Sequence, residues 1–87
     1  MTELLKTLAS ELEVLDISHN NNRELNLADL LSEMPNLREL MISEGEMIQI
    51  DDLVNCPASL VEVNLAYNQI LLITNQFNNC SRLQTLM

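Results

Sequence analysis

Asp16, Ser18 and His19 place the three residue types of a hydrolytic triad within four positions. The chemistry they would support is attack by a serine hydroxyl whose proton passes to an imidazole held by a carboxylate. The spacing argues against it. In an extended chain successive side chains point to opposite faces, so His19 does not meet Ser18 as a base meets a nucleophile. Cys56 and Cys80 could bridge if their Cα atoms come close enough, but as two small apolar side chains they also suit a core, and that is the expectation here. With one distant histidine they do not make a tetrahedral zinc set. Glu44, Glu46, Asp51 and Asp52 are carboxylates of the kind calcium sites use, yet they lack the ordered D-x-D-x-D-G spacing and read as a solvated loop. Asn79-Cys80-Ser81 matches the N-glycosylation triplet, with a central Cys expected to be buried. No catalytic, cofactor or metal-ligating residue is therefore expected.

Composition limits the elements available to hold these groups. Eighty-seven residues make at most one small domain, whose core is marginal because surface dominates over volume. Apolar residues are 47% of the chain but aromatics only 2%, so the apolar material is aliphatic: eighteen Leu, six Ile and four Val. That mix suits a regular stacked core. The net charge is −9, and only Lys6, Arg23, Arg38 and Arg82 are basic. Binding of nucleic acid needs clustered Lys and Arg to neutralise phosphates, which this chain lacks. An anionic membrane would repel it likewise. A basic protein surface is a permitted partner, and the acidity also keeps a Leu-rich chain soluble. There is no basic start followed by a long apolar run, the run Ile70-Leu71-Leu72-Ile73 is far too short to span a bilayer, and two cysteines are too few for a disulfide framework. These features together lean towards the cytoplasm.

A repeated frame organises the chain. Leu12, Leu15, Ile17 and Asn20 have the form L-x-x-L-x-I-x-x-N. Leu37, Leu40 and Ile42 restate it, with Gly45 where Asn20 stood, and Leu60, Val63, Leu65 and Asn68 restate it again. Leu83 and Leu86 begin a fourth copy. Apolar positions alternating with polar ones at the centre of the frame mark a short strand. Between frames, apolar residues recur at spacings of three and four, as on one face of a helix: Leu4, Leu5 and Leu8; Leu27, Leu30, Leu31 and Met34; Leu53, Val54 and Cys56; Ile73, Phe77 and Cys80. The segment from Asn26 to Glu33 is the best α-helix, closed by Pro35; the others are expected to form one or two loose turns. The chain then divides into a partial return segment (1–11), repeats 12–36, 37–59 and 60–82, and the start of a fourth at 83–87. Neither end looks like a polar cap.

The frame resembles that of the leucine-rich-repeat family. The resemblance implies an α/β fold, a leucine-rich-repeat solenoid with a short parallel sheet on the concave face and helical or irregular return segments on the convex face. Asn20 and Asn68 would be structural, satisfying backbone groups of neighbouring loops. Gly45 interrupts that asparagine series and would make the tight turn through its backbone freedom. Asn22 stands where an apolar residue belongs. The concave face of such proteins commonly binds partners. Here it would carry Val14, Asp16 and Ser18, then Glu39, Met41 and Ser43, then Glu62, Asn64 and Ala66, with Thr85 and Met87 beginning a further row. Asp16, Glu39 and Glu62 would give it a negative column. Tyr67 and His19 sit at equivalent strand exits; Tyr67 is a candidate contact residue and His19 a candidate pH reporter. The implied function is recognition of another protein through this face. The resemblance also allows a regulatory or substrate-recruiting segment of a larger phosphatase, kinase or ubiquitin ligase. Self-association through the uncapped ends is a third reading.

Overall fold

The computed structural model describes residues 8–50, 53, 56–70 and 76–87. The expectations for Leu4, Leu5, Asp51, Asp52, Val54, Ile73 and the rest of the apolar run after Ile70 lie outside the described residues. The fold is α/β. Four short strands, β1 (Val14–Asp16), β2 (Glu39–Met41), β3 (Glu62–Asn64) and β4 (Thr85–Leu86), form one parallel sheet in chain order. Each occupies the third to fifth places of the sequence frame, or the third and fourth in β4. Pairing follows the frame without slippage: Leu15 faces Leu40, Leu40 faces Val63, and Val63 faces Leu86. A slip of one residue would turn every apolar side chain to the other face, so burial fixes the register.

The apolar frame positions stack behind the sheet. Leu37, Leu40, Ile42, Leu60, Val63 and Leu65 are buried, as are Met47, Ile50 and Leu53 from the segment after β2. The outer columns are less covered. Leu12, Leu15 and Ile17 are only partly buried, and Leu86 is 41% exposed where Leu40 and Val63 are at 0%. Ladder-like backbone bonds continue past the strands. The Ile17 and His19 amides donate to the Met41 and Ser43 carbonyls, and the Ile42 and Glu44 amides to those of Asn64 and Ala66.

Between β1 and β2 the chain forms α1 (Leu27–Ser32), as the sequence predicts. Asn26 is its N-cap, its side chain accepting from the Asp29 amide at 3.1 Å. That bond satisfies one of the amides a helix start leaves without a partner. Leu27 and Leu31, one turn apart, are buried against the core. The chain turns at Glu33 just before Pro35, which cannot continue a helix. Residues 8–11 are also helical, whereas residues 45–50 have no regular structure and 76–79 form turns. Side chains stitch these segments across the sheet's back. Asn36 Nδ2 donates to the Ser10 carbonyl at 2.7 Å, Ser59 Oγ to that of Leu37 at 2.7 Å, and Gln76 Nε2 to that of Ile50 at 3.2 Å.

Two expectations are corrected. Cys56 and Cys80 are not merely two packed thiols: they form a disulfide, with Cα atoms 5.1 Å apart. Their offsets from the following anchor Leu differ by one residue: the same turn precedes both anchors, the Leu60 amide donating to the Pro57 carbonyl and the Leu83 amide to that of Cys80, so Cys56 stands one place further from its anchor and the bond closes across that offset. Gly45 does not owe its place to backbone freedom. The positive φ angles fall on its neighbours Glu44 (52°) and Glu46 (58°), not on Gly45. It is there for space: a Cβ would come within 2.9 Å of both Asn22 Nδ2 and Ile42 Cγ2 and 3.1 Å of Asn68 Oδ1. Gly45→Ala should therefore cost about 1–3 kcal/mol, as overpacking of a tight site does. Urea unfolding of the variant checks this; a change under a few tenths would mean that the neighbours yield freely.

Candidate protein-recognition face

Strand alternation sends Leu15, Leu40 and Val63 to the core and their neighbours to the opposite face. On that face the register makes three rows. The first runs Val14, Glu39, Glu62, Thr85, and the second Asp16, Met41, Asn64. Beyond the strands lie Ser18, Ser43 and Ala66; the Ser43 amide donates to Ser18 Oγ, and the Ser43 and Ala66 carbonyls accept from the His19 and Glu44 amides. Val14 and Asp16 are exposed, while Glu39, Met41, Ser43, Glu62, Asn64, Ala66 and Thr85 are half-buried.

The expected negative column is corrected by this register. Glu39 and Glu62 do pair directly, on strands about 4.8 Å apart as in any sheet. Asp16 stands in the next row, opposite Met41. The face thus has one carboxylate pair flanked by Val14 and Thr85, and a separate carboxylate at its β1 edge. Like charges directly opposite each other oppose pairing, so the pair is held by the leucine and valine columns behind it. The mistake is visible in the sequence. Asp16 is fifth in its frame, whereas Glu39 and Glu62 are third in theirs.

Asp16 and Ser18 shape the exit of β1. The Ser18 amide donates to Asp16 Oδ1 at 2.9 Å. This backbone bond, then a bond from the Ser18 hydroxyl, holds the Asp16 carboxyl below its usual pKa, with a smaller contribution from His19. Ser43 donates its own hydroxyl to Ser18 Oγ at 3.0 Å, and its amide reaches the same oxygen at 3.0 Å. His19 turns instead to Glu44, with which its Nδ1 forms an ion pair when protonated. Asp16 is therefore held by Ser18, while the His19 imidazole is directed to Glu44 and not to the Ser18 hydroxyl.

His19, Glu44 and Tyr67 are equivalent in their frames, and all three adopt positive φ, at 60°, 52° and 59°. β1, β2 and β3 each leave the sheet through the same left-handed step. This geometry is unusual for residues with a Cβ. It aims Tyr67 outward, 84% exposed, at the end of β3 that also bears Ala66. Glu44 is not among the contact residues that the strand pattern predicts; its equivalence to His19 and Tyr67 is the signal in the sequence that points to it.

The asparagines that follow differ. Asn20 Nδ2 donates to the Ile17 and Ser18 carbonyls, within its own turn. Asn68 reaches across to the preceding unit. Its Nδ2 donates to the Ile42 carbonyl at 2.6 Å and the Leu65 carbonyl at 2.9 Å, and its Oδ1 accepts from the Gly45 and Met47 amides, both at 2.9 Å. Asn68 thus serves the turn where Gly45 has no side chain to offer. Asn22, misplaced by the apolar pattern, is half-buried and donates to the Ile17 carbonyl at 3.0 Å. Asn79 Nδ2, in the glycosylation triplet, donates to the Leu53 carbonyl at 3.0 Å.

Among the described residues no group of three or more His, Cys, Asp or Glu could hold a metal ion, and no helix is long and apolar enough to cross a membrane. Comparison with protein-family models, with curated proteins and with solved structures gives no match.

Proposed function

We propose that the chain is a leucine-rich-repeat scaffold that recognises another protein through the open face of its parallel sheet. One observation carries this reading: the frame puts Val14, Asp16 and Ser18, Glu39, Met41 and Ser43, and Glu62 and Asn64 on a single face, in register, with the core on the other side. Tyr67 extends that face at the strand exits. The in-register order of all four strands supports a stacked, repeat-built architecture. The face mixes apolar Val14 and Met41 with carboxylates and carries no basic side chain in its rows, so a partner offering Arg or Lys beside an apolar patch fits it best.

A photo-crosslinker at Met41 should capture that partner, and one at Glu33, behind the sheet, should not. Glu39→Lys with Glu62→Lys should weaken capture at Met41 by tenfold or more while circular dichroism stays unchanged. Asp16→Lys, one row away, should weaken it less. Equal capture from both crosslinker positions, or capture indifferent to the double reversal, would discard the sheet face as the contact.

A second reading has its own observation. The columns buried at β2 and β3 open at the outer strands, where Leu86 and Met87 are exposed and Leu15 is half-covered. Such edges can pair with a second copy. A molecular mass that rises with concentration in light scattering, and falls back on Leu86→Lys, would support self-association; a constant monomer mass would remove it.

A further inference from the structure

Cys56 and Cys80 precede and follow β3, and their bond closes a covalent ring around it. We propose that this disulfide is a redox-operated latch: oxidation stabilises the fold by locking β3 within the ring, and a dithiol reductant releases it.

The placement carries the argument. The two cysteines lie 24 positions apart, about one repeat, on the back of the sheet. Linking them restricts the unfolded chain, and the restriction grows with the length of the loop closed. The native ladder is otherwise made of very short strands, so β3 depends on its neighbours and on this ring. Cys80 is buried, but Cys56 is half-buried and can be approached. A reductant thiolate attacks Cys56 Sγ and forms a mixed disulfide; Cys80 leaves as thiolate and takes up a proton. The reductant's second thiol then displaces Cys56, which is protonated in turn. One S–S bond is lost, two S–H bonds form, and the dithiol is oxidised to its own disulfide. Two neutral thiols remain tolerable among apolar neighbours. The change is therefore felt chiefly in the unfolded ensemble, and it reverses on oxidation.

β3 carries Glu62 and Asn64, so the latch would also govern the recognition face; that consequence rests on the proposed function. The latch itself is tested with no partner present. Urea unfolding of the whole chain, followed by circular dichroism, should show dithiothreitol shifting the folding equilibrium about 300-fold towards the unfolded state, the factor expected for a loop of this length. A Cys56→Ala/Cys80→Ala variant should not respond to the reductant. If that variant fails to fold, the unmodified chain still decides the matter. Chymotrypsin cleaves after Tyr67, inside the ring, and the nicked product should stay one species until reductant separates it. Equal urea midpoints with and without reductant, two titratable thiols in the air-purified chain, or two fragments separating without reductant would each overturn the latch.

Discussion

Leu40→Ala should lower the unfolding free energy by about 2–5 kcal/mol, the range found when a buried leucine is truncated and its cavity only partly collapses. Leu40 has no exposure, and it stands between Leu15 and Val63 in the central column. Stability of roughly 0.05–0.15 kcal/mol per residue is usual for small domains, so the loss would remove a large share of what this chain has. Urea titration by circular dichroism measures it. Leu86→Ala provides the contrast. Its side chain is exposed at β4, so the change should cost about 1 kcal/mol or less. Equal losses at the two sites would mean that the core does not centre on β2 and β3.

Asn68→Ala is the second large effect, and its cause is polar. The substitution removes the bonds that Nδ2 donates to the Ile42, Leu65 and Ala66 carbonyls and leaves the Gly45 and Met47 amides without an acceptor. Both residues are buried, so water does not readily take the place of Oδ1. A buried donor stripped of its partner costs about 1–3 kcal/mol, and two of them together should cost about 3 kcal/mol. Asn20→Ala should cost less than about 1 kcal/mol, because Asn20 is exposed and its carbonyl partners can turn to solvent. Amide exchange gives a sharper readout than the midpoint: in Asn68→Ala the Gly45 and Met47 amides should lose protection before those of β2. Retained protection at both would show that another acceptor replaces Asn68.

Most of this fold is legible in the sequence because it depends on position within a frame. The strand cores, α1 and the buried columns at Leu37, Leu40, Ile42, Leu60, Val63 and Leu65 all follow from periodicity. What escaped depends on events between frames. The Cys56–Cys80 bond joins two places that are one residue out of step in their frames, and apolar spacing does not show that their Cα atoms come within bridging distance. Gly45 reads as a flexible turn residue until Asn22 and Asn68 are seen converging on it. Asn22 looks like a defect in the apolar pattern, yet its amide finds the Ile17 carbonyl. The misassigned acidic column came from treating alternate strand positions as one set, when third and fifth places lie in different rows.

The register also bears on how the chain folds. Val14 to Glu39, Glu39 to Glu62 and Glu62 to Thr85 are pairings between places 25, 23 and 23 positions apart. Loop-closure entropy varies only logarithmically with length, so these three pairings differ by only about 0.1 kcal/mol on that account. Chain entropy therefore gives none of them precedence, and the order of assembly falls to burial. The β2–β3 pair, backed by the two fully covered columns, would nucleate; β1 and β4 would then add outward, one on each side. In the native state the same hierarchy runs in reverse, with fraying starting at both margins and reaching the middle last.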